Sequence, residues 1–530
     1  MPKNELDIEV LGTSISISAD EEEEYLNRLL EIYKKAVENT RLSTGITDPL
    51  KTAVLTGFLL CDEVQKARQE MPGKKGSEEQ EAEALALDLI SRLEGVLDDK
   101  APYPEGTAKG TDRGSSGGPM ILKLKNPVKN YNWGDPQWIP ELLGRRNISR
   151  VPWAELWMGV HPGGPSCVPE AGIENTPDRE PLLSRLIAED PGYYLGEGTE
   201  KTFGALPFLF KVLAAGRPLS IQAHPNLEQA REGWERENQE EISLDAPNRN
   251  YKDPNHKPEI LCALSPFTAM CGFREEKEIR TLIDAFSRKA PHPLRFGLEP
   301  LHTALAGPDP LRMFLTALFN LDPETRKALS AYGREQKLEK DYPEHRDEWK
   351  LVSWFAELYP EDPGIIAPLY LNLLDLEPGE GVFLPAGVLH AYIYGLGVEL
   401  MANSDNVLRG GLTSKHIDRD ELFRVLQFSP FMPRILKPDG TGDQVYKYPA
   451  PCREFSLSVV KGGKNRYDES GPSIVIVTEG EVRISGAREE KCLKKGESAF
   501  IPAGAASGGL YFSGNYTLYA AGTGSAEESW

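Results

Sequence analysis

Cysteine is scarce. Six residues, Cys61, Cys167, Cys262, Cys271, Cys452 and Cys492, are scattered over 530 positions, and no Cys-x-x-Cys occurs. That excludes a disulfide-stapled scaffold and a thiolate zinc site, and leaves free, mostly buried thiols. No apolar run approaches the ~20 residues needed to cross a bilayer, so no membrane partner is expected. The leading MPKNELDIEV lacks the basic-then-apolar secretory pattern, which makes the cytoplasm the expected location. Positive charge is in the minority: 60 Lys and Arg stand against 81 Asp and Glu, a net −21, which argues against nucleic acid as a partner. GxxxxGK[ST], GxGxxG and any repeat of solenoid period are absent. No histidine follows His416, so the residues from about 431 onward are expected to form a metal-free domain.

What remains is an ordinary globular composition, 40% apolar and 27% charged, long enough for three or four domains at ~150 residues each. Residues 1–100 hold 22 acidic and 12 basic side chains, almost half the acidic excess in a fifth of the chain. Leu6, Ile8 and Val10 alternate, Gly12 turns the chain, and Ile15 and Ile17 alternate again, which predicts a β-hairpin. Helical spacing follows over Tyr25–Val37, over Leu50–Val64 after Asp48-Pro49, and over Leu85–Val96 after a break at Pro72–Gly76. Such stripes cannot all be buried within so small a piece, so self-association is expected. Residues 101–118 (APYPEGTAKGTDRGSSGG) have linker composition.

The segments IEVLGTSISISADEEEEYLNRLLEIY and DPLKTAVLTGFLLCDEVQK resemble ZapA-like cell-division accessory proteins over roughly the first 70 residues. That resemblance implies homo-oligomerisation through residues 1–100 and contact with the division protein FtsZ. A helical dimerisation module with no other contact is the plainer alternative.

Beyond residue 118 short strands dominate, with helical periodicity between about 275 and 365. The fold class expected is mainly β: two β-barrels with a helical insertion, preceded by a small α+β, coiled-coil-like module. The catalytic domain would be 119–274 with 366–430, the insertion 275–365, and the second barrel 431–530. A candidate metal site gathers from three segments. In Ser220-Ile-Gln-Ala-His224, Gln222 and His224 are two apart and on a strand face one side; Glu259 and His390 lie further on. Two imidazoles, a carboxylate and an amide suit zinc or a similar divalent ion, with room for water or substrate.

The turn-rich run Pro378-Gly379…Pro385-Ala-Gly387…His390 is similar to cupin barrels, where such a turn sets a metal-binding histidine on an inward-facing strand. Together with NYNWG (130–134), ELWMGVHPGGPS (155–166), FLFKVLAAGRPLSIQAHPN (208–226), YKDPNHKPE (251–259) and HAYIYGLGVELMANSDNVLRGGLTSKHID (390–418), it resembles the type I mannose-6-phosphate isomerases over residues of about 120–530. Ser414 departs from the proline usual there, which touches only the shape of a turn.

The resemblance implies two cupin barrels, one divalent zinc ion on Gln222, His224, Glu259 and His390, and interconversion of mannose 6-phosphate and fructose 6-phosphate through a cis-enediol. His256, Lys257, Asp405 and Glu399 are open candidates for proton handling or hydroxyl contact; lysine at its usual pKa of ~10.4 is a poor base. Arg409 can fork onto phosphate or assist the enediol, and Lys415 adds a point charge six residues on. Lys211, Ser220 and Trp133 complete the expected substrate-binding set. Two rivals predict other observations: an iron cupin oxygenase would consume oxygen, and a cell-division scaffold carrying a sugar-phosphate-binding cupin would be needed at the septum rather than for isomerase activity.

Overall fold

The computed structural model describes residues 4–10, 13–19, 30, 33–37, 56, 121–169, 181–437, 445–467, 469, 471–486, 489–506 and 509–524. The chain divides into two compact units, Met1–Arg113 and Gly114–Trp530. In the first, strands β1 (Asn4–Val10) and β2 (Thr13–Ala19) pair antiparallel, with Leu6 opposite Ile17 and Ile8 opposite Ile15. Residues 30, 33–37 and 56 are helical. The rest of the three expected N-terminal helices, the break at 72–76 and the linker 101–118 lie outside the described residues.

The second unit holds two sheets. Its first strand, β3 (Leu122–Leu124), belongs to the later one. An eleven-stranded sheet comprises β4 (Val128–Lys129), β5 (Glu155–Met158), β6 (Phe208–Ala215), β7 (Ile221–Ala223), β8 (Glu259–Ala263), β9 (Phe267–Phe273), β10 (Leu371–Leu376), β11 (Gly381–Leu384), β12 (His390–Ala402), β13 (Leu408–Gly411) and β14 (Ile435–Leu436). A seven-stranded sheet comprises β3 with β15 (Val445–Tyr448), β16 (Ser456–Tyr467), β17 (Ser473–Ser485), β18 (Glu490–Lys494), β19 (Ser498–Ile501) and β20 (Leu510–Gly522).

The long strand β12 organises the larger sheet. Its first residues pair with β7 and β9, and from Gly395 onward it pairs with β6 and β8. The change of partners needs a bend that a side chain would obstruct. Gly395 has φ 134°, and a Cβ there would lie 2.6 Å from the Phe267 ring. Glycine alone adopts that backbone readily, so one strand can serve two layers.

Two strands join the sheet of the other expected domain. β3, expected in the catalytic segment 119–274, pairs with β19, Leu122 opposite Phe500. β14, expected beyond residue 431 in the second domain, pairs with β11, Leu436 opposite Gly381. Alternation fixes which face of a strand is buried but not which neighbour it joins. The stretch expected as strands and turns also holds helices at Pro191–Phe203 and Leu227–Gln239.

Helices from Glu276–Lys289 to Arg346–Leu358, then a 3₁₀ turn at Pro363–Leu369, fill the region before β10. Their buried Leu282, Phe286, Phe314, Trp349 and Phe355 form one core with Ile221, Ala391 and Ile393 of the sheet and with Leu412 just after β13. The helical region is thus packed on the layer that carries β7 and β13, rather than appended to it. A second core, including Ile260, Cys262, Val398, Leu400, Tyr448, Leu457, Ile476 and Tyr519, joins the two sheets.

Candidate metal centre

Period-two alternation explains which side chains point into the larger sheet. On β8, Ile260 and Cys262 enter the core shared with the second sheet, while Leu261 and Ala263 enter an inner cluster, so Glu259 faces inward with them. On β6, Phe210 and Val212 face outward, leaving Lys211 with Leu213 and Ala215 inside. On β12, Val398 and Leu400 face outward and Glu399 inward. On β5, Leu156 and Met158 face outward, so Glu155 and Trp157 turn in. The inner face is therefore apolar at one end and charged at the other.

At the charged end His224, Glu259 and His390, each buried, offer ligand atoms within 4.8 Å of one another. His224 Nε2 lies 3.3 Å from Glu259 Oε1, and His390 Nε2 lies 3.4 Å from Glu259 Oε2. Gln222 is opposite His390 in the ladder, and its amide nitrogen is 3.3 Å from His390 Nε2. A half-turn of that amide presents its carbonyl oxygen instead.

The surroundings fix the tautomer of each imidazole. His224 Nδ1 donates to the Asn406 carbonyl at 2.7 Å, and His390 Nδ1 donates to the Val388 carbonyl at 3.0 Å. Each ring then carries its proton on Nδ1 and turns the Nε2 lone pair toward the shared point. Burial lowers the His224 pKa to about 4, outweighing the pull of Glu259, so the ring is neutral at physiological pH. Burial pushes Glu259 upward, but Lys257 and then His224 outweigh it and hold the carboxylate well below its usual range. His224 Nε2 and Glu259 Oε2 are buried without a hydrogen-bond partner. Buried polar atoms left so are costly, and this donor set is one that a divalent cation satisfies.

A second charged group adjoins the first. Lys211 Nζ lies 3.2 Å from Glu155 and 3.1 Å from Glu399, all three nearly inaccessible. Burial alone would lower the Lys211 pKa; Glu155 and Glu399 reverse that and raise it. Burial raises Glu399, against the pull of Lys211. Lys257 Nζ lies 3.1 Å from Glu259 Oε1. Three carboxylates thus face two lysines, an excess of one negative charge that a dication would reverse.

The remaining expected residues divide. Arg409 is opposite Gln222 on β13, and burial lowers its pKa. Burial, and then the positive charge of Arg409, lower the Lys415 pKa. Neither has an ion-pair partner among the described residues. Asp405 is half-exposed, with Oδ2 3.3 Å from His161 Nε2. Burial pushes its pKa up, but His161, then Lys257 and Lys211, hold it below the usual value. Ser220 is half-buried just before β7. His256 is drawn elsewhere: its Nε2 contacts Glu454 of the second sheet's domain at 2.7 Å. Trp133 stacks on Tyr131 and packs on the inner apolar cluster.

Sequence reasoning missed Glu155, His161 and Asn406. Asn406 is fully buried; its side chain accepts from the Lys252 N–H and donates to the carbonyls of Asp253 and Asn255, while its own carbonyl holds His224. It locks the segment before Glu259 to the histidine ligand. Gly163 N–H donates to His161 Nδ1, which leaves the His161 proton on Nε2, facing Asp405. A signal existed: Glu155 and His161 lie within ELWMGVHPGGPS and Asn406 within ANSDN, yet only a tertiary contact gives each a task.

The sequence model of the family described as phosphomannose isomerase type I, catalytic domain, matches residues 121–276, and that of cell division protein ZapA matches residues 6–94. The mannose-6-phosphate isomerase of Escherichia coli (strain K12) is 39% identical over 387 residues, covering 72% of this chain and 95% of that protein. Its Homo sapiens counterpart is 34% identical over 397 residues, covering 69% and 89%. A crystal structure of mannose 6-phosphate isomerase bound with zinc and yttrium superposes with a TM-score of 0.66 at 35% identity, covering 76% of this chain and 100% of that one.

Proposed function

We propose, since this chain belongs to the mannose-6-phosphate isomerase family, that Gln222, His224, Glu259 and His390 hold one zinc ion and that the site interconverts mannose 6-phosphate and fructose 6-phosphate through a cis-enediol. The observation that carries this is the convergence of three buried ligands with an orphaned imidazole nitrogen and carboxylate oxygen. The two sheets are read as two cupin barrels, the second without metal.

When bound, the cation would supply positive charge beside the oxygens on C1 and C2, stabilising the charge that develops there. The protein's own groups do the rest. Arg409 and Lys415, cations without carboxylate partners, take the phosphate. Asp405, ionised and accessible, is the base that moves the proton from C2 to C1 on one face. Lys257 contacts Glu259 and is therefore assigned to charge stabilisation, not to proton abstraction. Glu155, Lys211 and Glu399 form the buried frame beneath the sugar. His256, engaged by Glu454, positions the loop that leads into Glu259.

Chelation followed by a coupled mannose 6-phosphate assay tests this reading. Turnover falls with metal content, returns on adding zinc, and stays lost in His224→Ala. Full turnover by a metal-free chain would overturn it.

Residues 1–100 are read as an oligomerisation module with a surface for FtsZ, on the strength of the ZapA match. The module gathers copies of the isomerase and takes no part in its chemistry.

A further inference from the structure

The helical region before β10 carries none of the residues assigned to chemistry, yet it reaches the site at one carboxylate. Asp362 follows the last long helix and is half-buried. Its Oδ1 accepts from the N–H of Gly364 at 2.6 Å and of Leu412 at 2.9 Å, and its Oδ2 accepts from the N–H of Thr413 at 3.2 Å. One carboxylate therefore joins the start of the 3₁₀ turn to the loop after β13.

That loop needs holding. Gly411 has φ 143°, and Leu412, a branched residue, has φ 51° in the left-handed region, where such side chains are strained. Leu412 is nonetheless buried in the core formed by the helices and sheet. A Cβ on Gly411 would lie 3.0 Å from the Gly364 Cα, and a Cβ on Gly364 would lie 3.0 Å from both Leu412 N and Ile221 Cδ1. The helical region is thus in close contact with the loop and with the strand that bears Gln222. A second tie runs from Tyr359 Oη to the Pro218 carbonyl at 2.8 Å, three residues before β7.

On either side of the strained turn are the two cations. Arg409 is opposite Gln222, and a register irregularity between Arg409 and Gly411 starts the turn that leads to Lys415. We propose that Asp362 is a positioning residue: the helical region, through this carboxylate, sets the loop 411–415 so that Lys415 joins Arg409 at the phosphate of the sugar. The inference rests on the reading of those two cations as phosphate ligands.

The test uses the full-length, metal-loaded protein and reads KM, kcat, competitive inhibition by inorganic phosphate, and zinc content. Asp362→Asn keeps one acceptor oxygen and loses the bond from Thr413. KM and the phosphate inhibition constant should rise at least tenfold, while kcat changes less than threefold and zinc content is unchanged. Lys415→Ala should raise both constants similarly, and the double variant should be little worse than either single one, since one acts through the other. If Asp362→Asn does not fold, Gly364→Ala, whose added methyl presses first on Asp362 Oδ1 and then on Leu412 N and Ile221, replaces it with the same expectations. Lys415→Ala raising the inhibition constant while Asp362→Asn lowers only the melting temperature, or effects that multiply in the double variant, would overturn the positioning role alone. Unchanged phosphate inhibition in Lys415→Ala would overturn the phosphate reading and this inference with it.

Discussion

Replacing Lys211 by methionine strands Glu155 and Glu399, whose side chains are 8% and 4% exposed, with no cation between them. At 3.1–3.2 Å each ion pair is worth up to about 5 kcal/mol at an effective dielectric of ~20, before the cost of desolvating three charges. Breaking a buried pair from one side typically costs about 3–5 kcal/mol, because the partner charge stays behind. One stranded carboxyl can escape by taking a proton. At pH 7 that costs about 3.7 kcal/mol for a group whose unfolded pKa is ~4.3, and at pH 5 only about 1 kcal/mol. Burial already raises Glu399 in the intact protein, and losing Lys211 raises it further. The folded pKa then exceeds the unfolded one, so the folded state binds the extra proton. The stability that proton confers is complete below ~4.3 and is lost as pH rises through the folded pKa. Lys211→Met should therefore be about 3–5 kcal/mol less stable than the parent at pH 7, with the gap closing by up to about 2.7 kcal/mol at pH 5. Urea midpoints of the isomerase unit, followed by tryptophan fluorescence with chelator in both arms, measure the gap at each pH. A difference below about 1 kcal/mol at pH 7, or one that is equal at the two pH values, would refute the picture of Lys211 as the counter-charge of two buried carboxylates.

Two further outcomes are expected. Asp405→Asn should lower kcat at least ~100-fold with little change in KM, as removal of a general base does; steady-state kinetics with a kcat loss below tenfold would assign the proton to another group. Light scattering should find the full chain in a higher oligomer than a form beginning at residue 114, and equal masses would deny residues 1–100 the task of association.

Much of the metal centre was legible because its residue types are rare in such spacing. Gln222 and His224, two apart at the end of β7, the run ending in Glu259 and the turn before His390 each announce a candidate ligand, and His224, Glu259 and His390 converge. The charged frame was only half legible. Lys211 and Glu399 could be singled out, but Glu155 is 56 residues from the lysine it pairs with, and no local pattern signals that contact. The helix at Leu227–Gln239 was missed although Asn226 and Gln229 form a reciprocal cap, since its sparse apolar residues give little periodic signal.

The order of residues by itself determined the inventory: which strands have one apolar face, which side chains can bind a cation, and where the long helical stretch interrupts the sheet. Tertiary structure decided partnership. It gave β3 and β14 to each other's expected domains, drew His256 to Glu454, and placed Asp362 against the turn before Lys415. The physical reason is one of range. Alternation, capping and turn chemistry act over a few residues, whereas ion pairs and edge pairing act between groups that only the folded chain brings within about 3 Å.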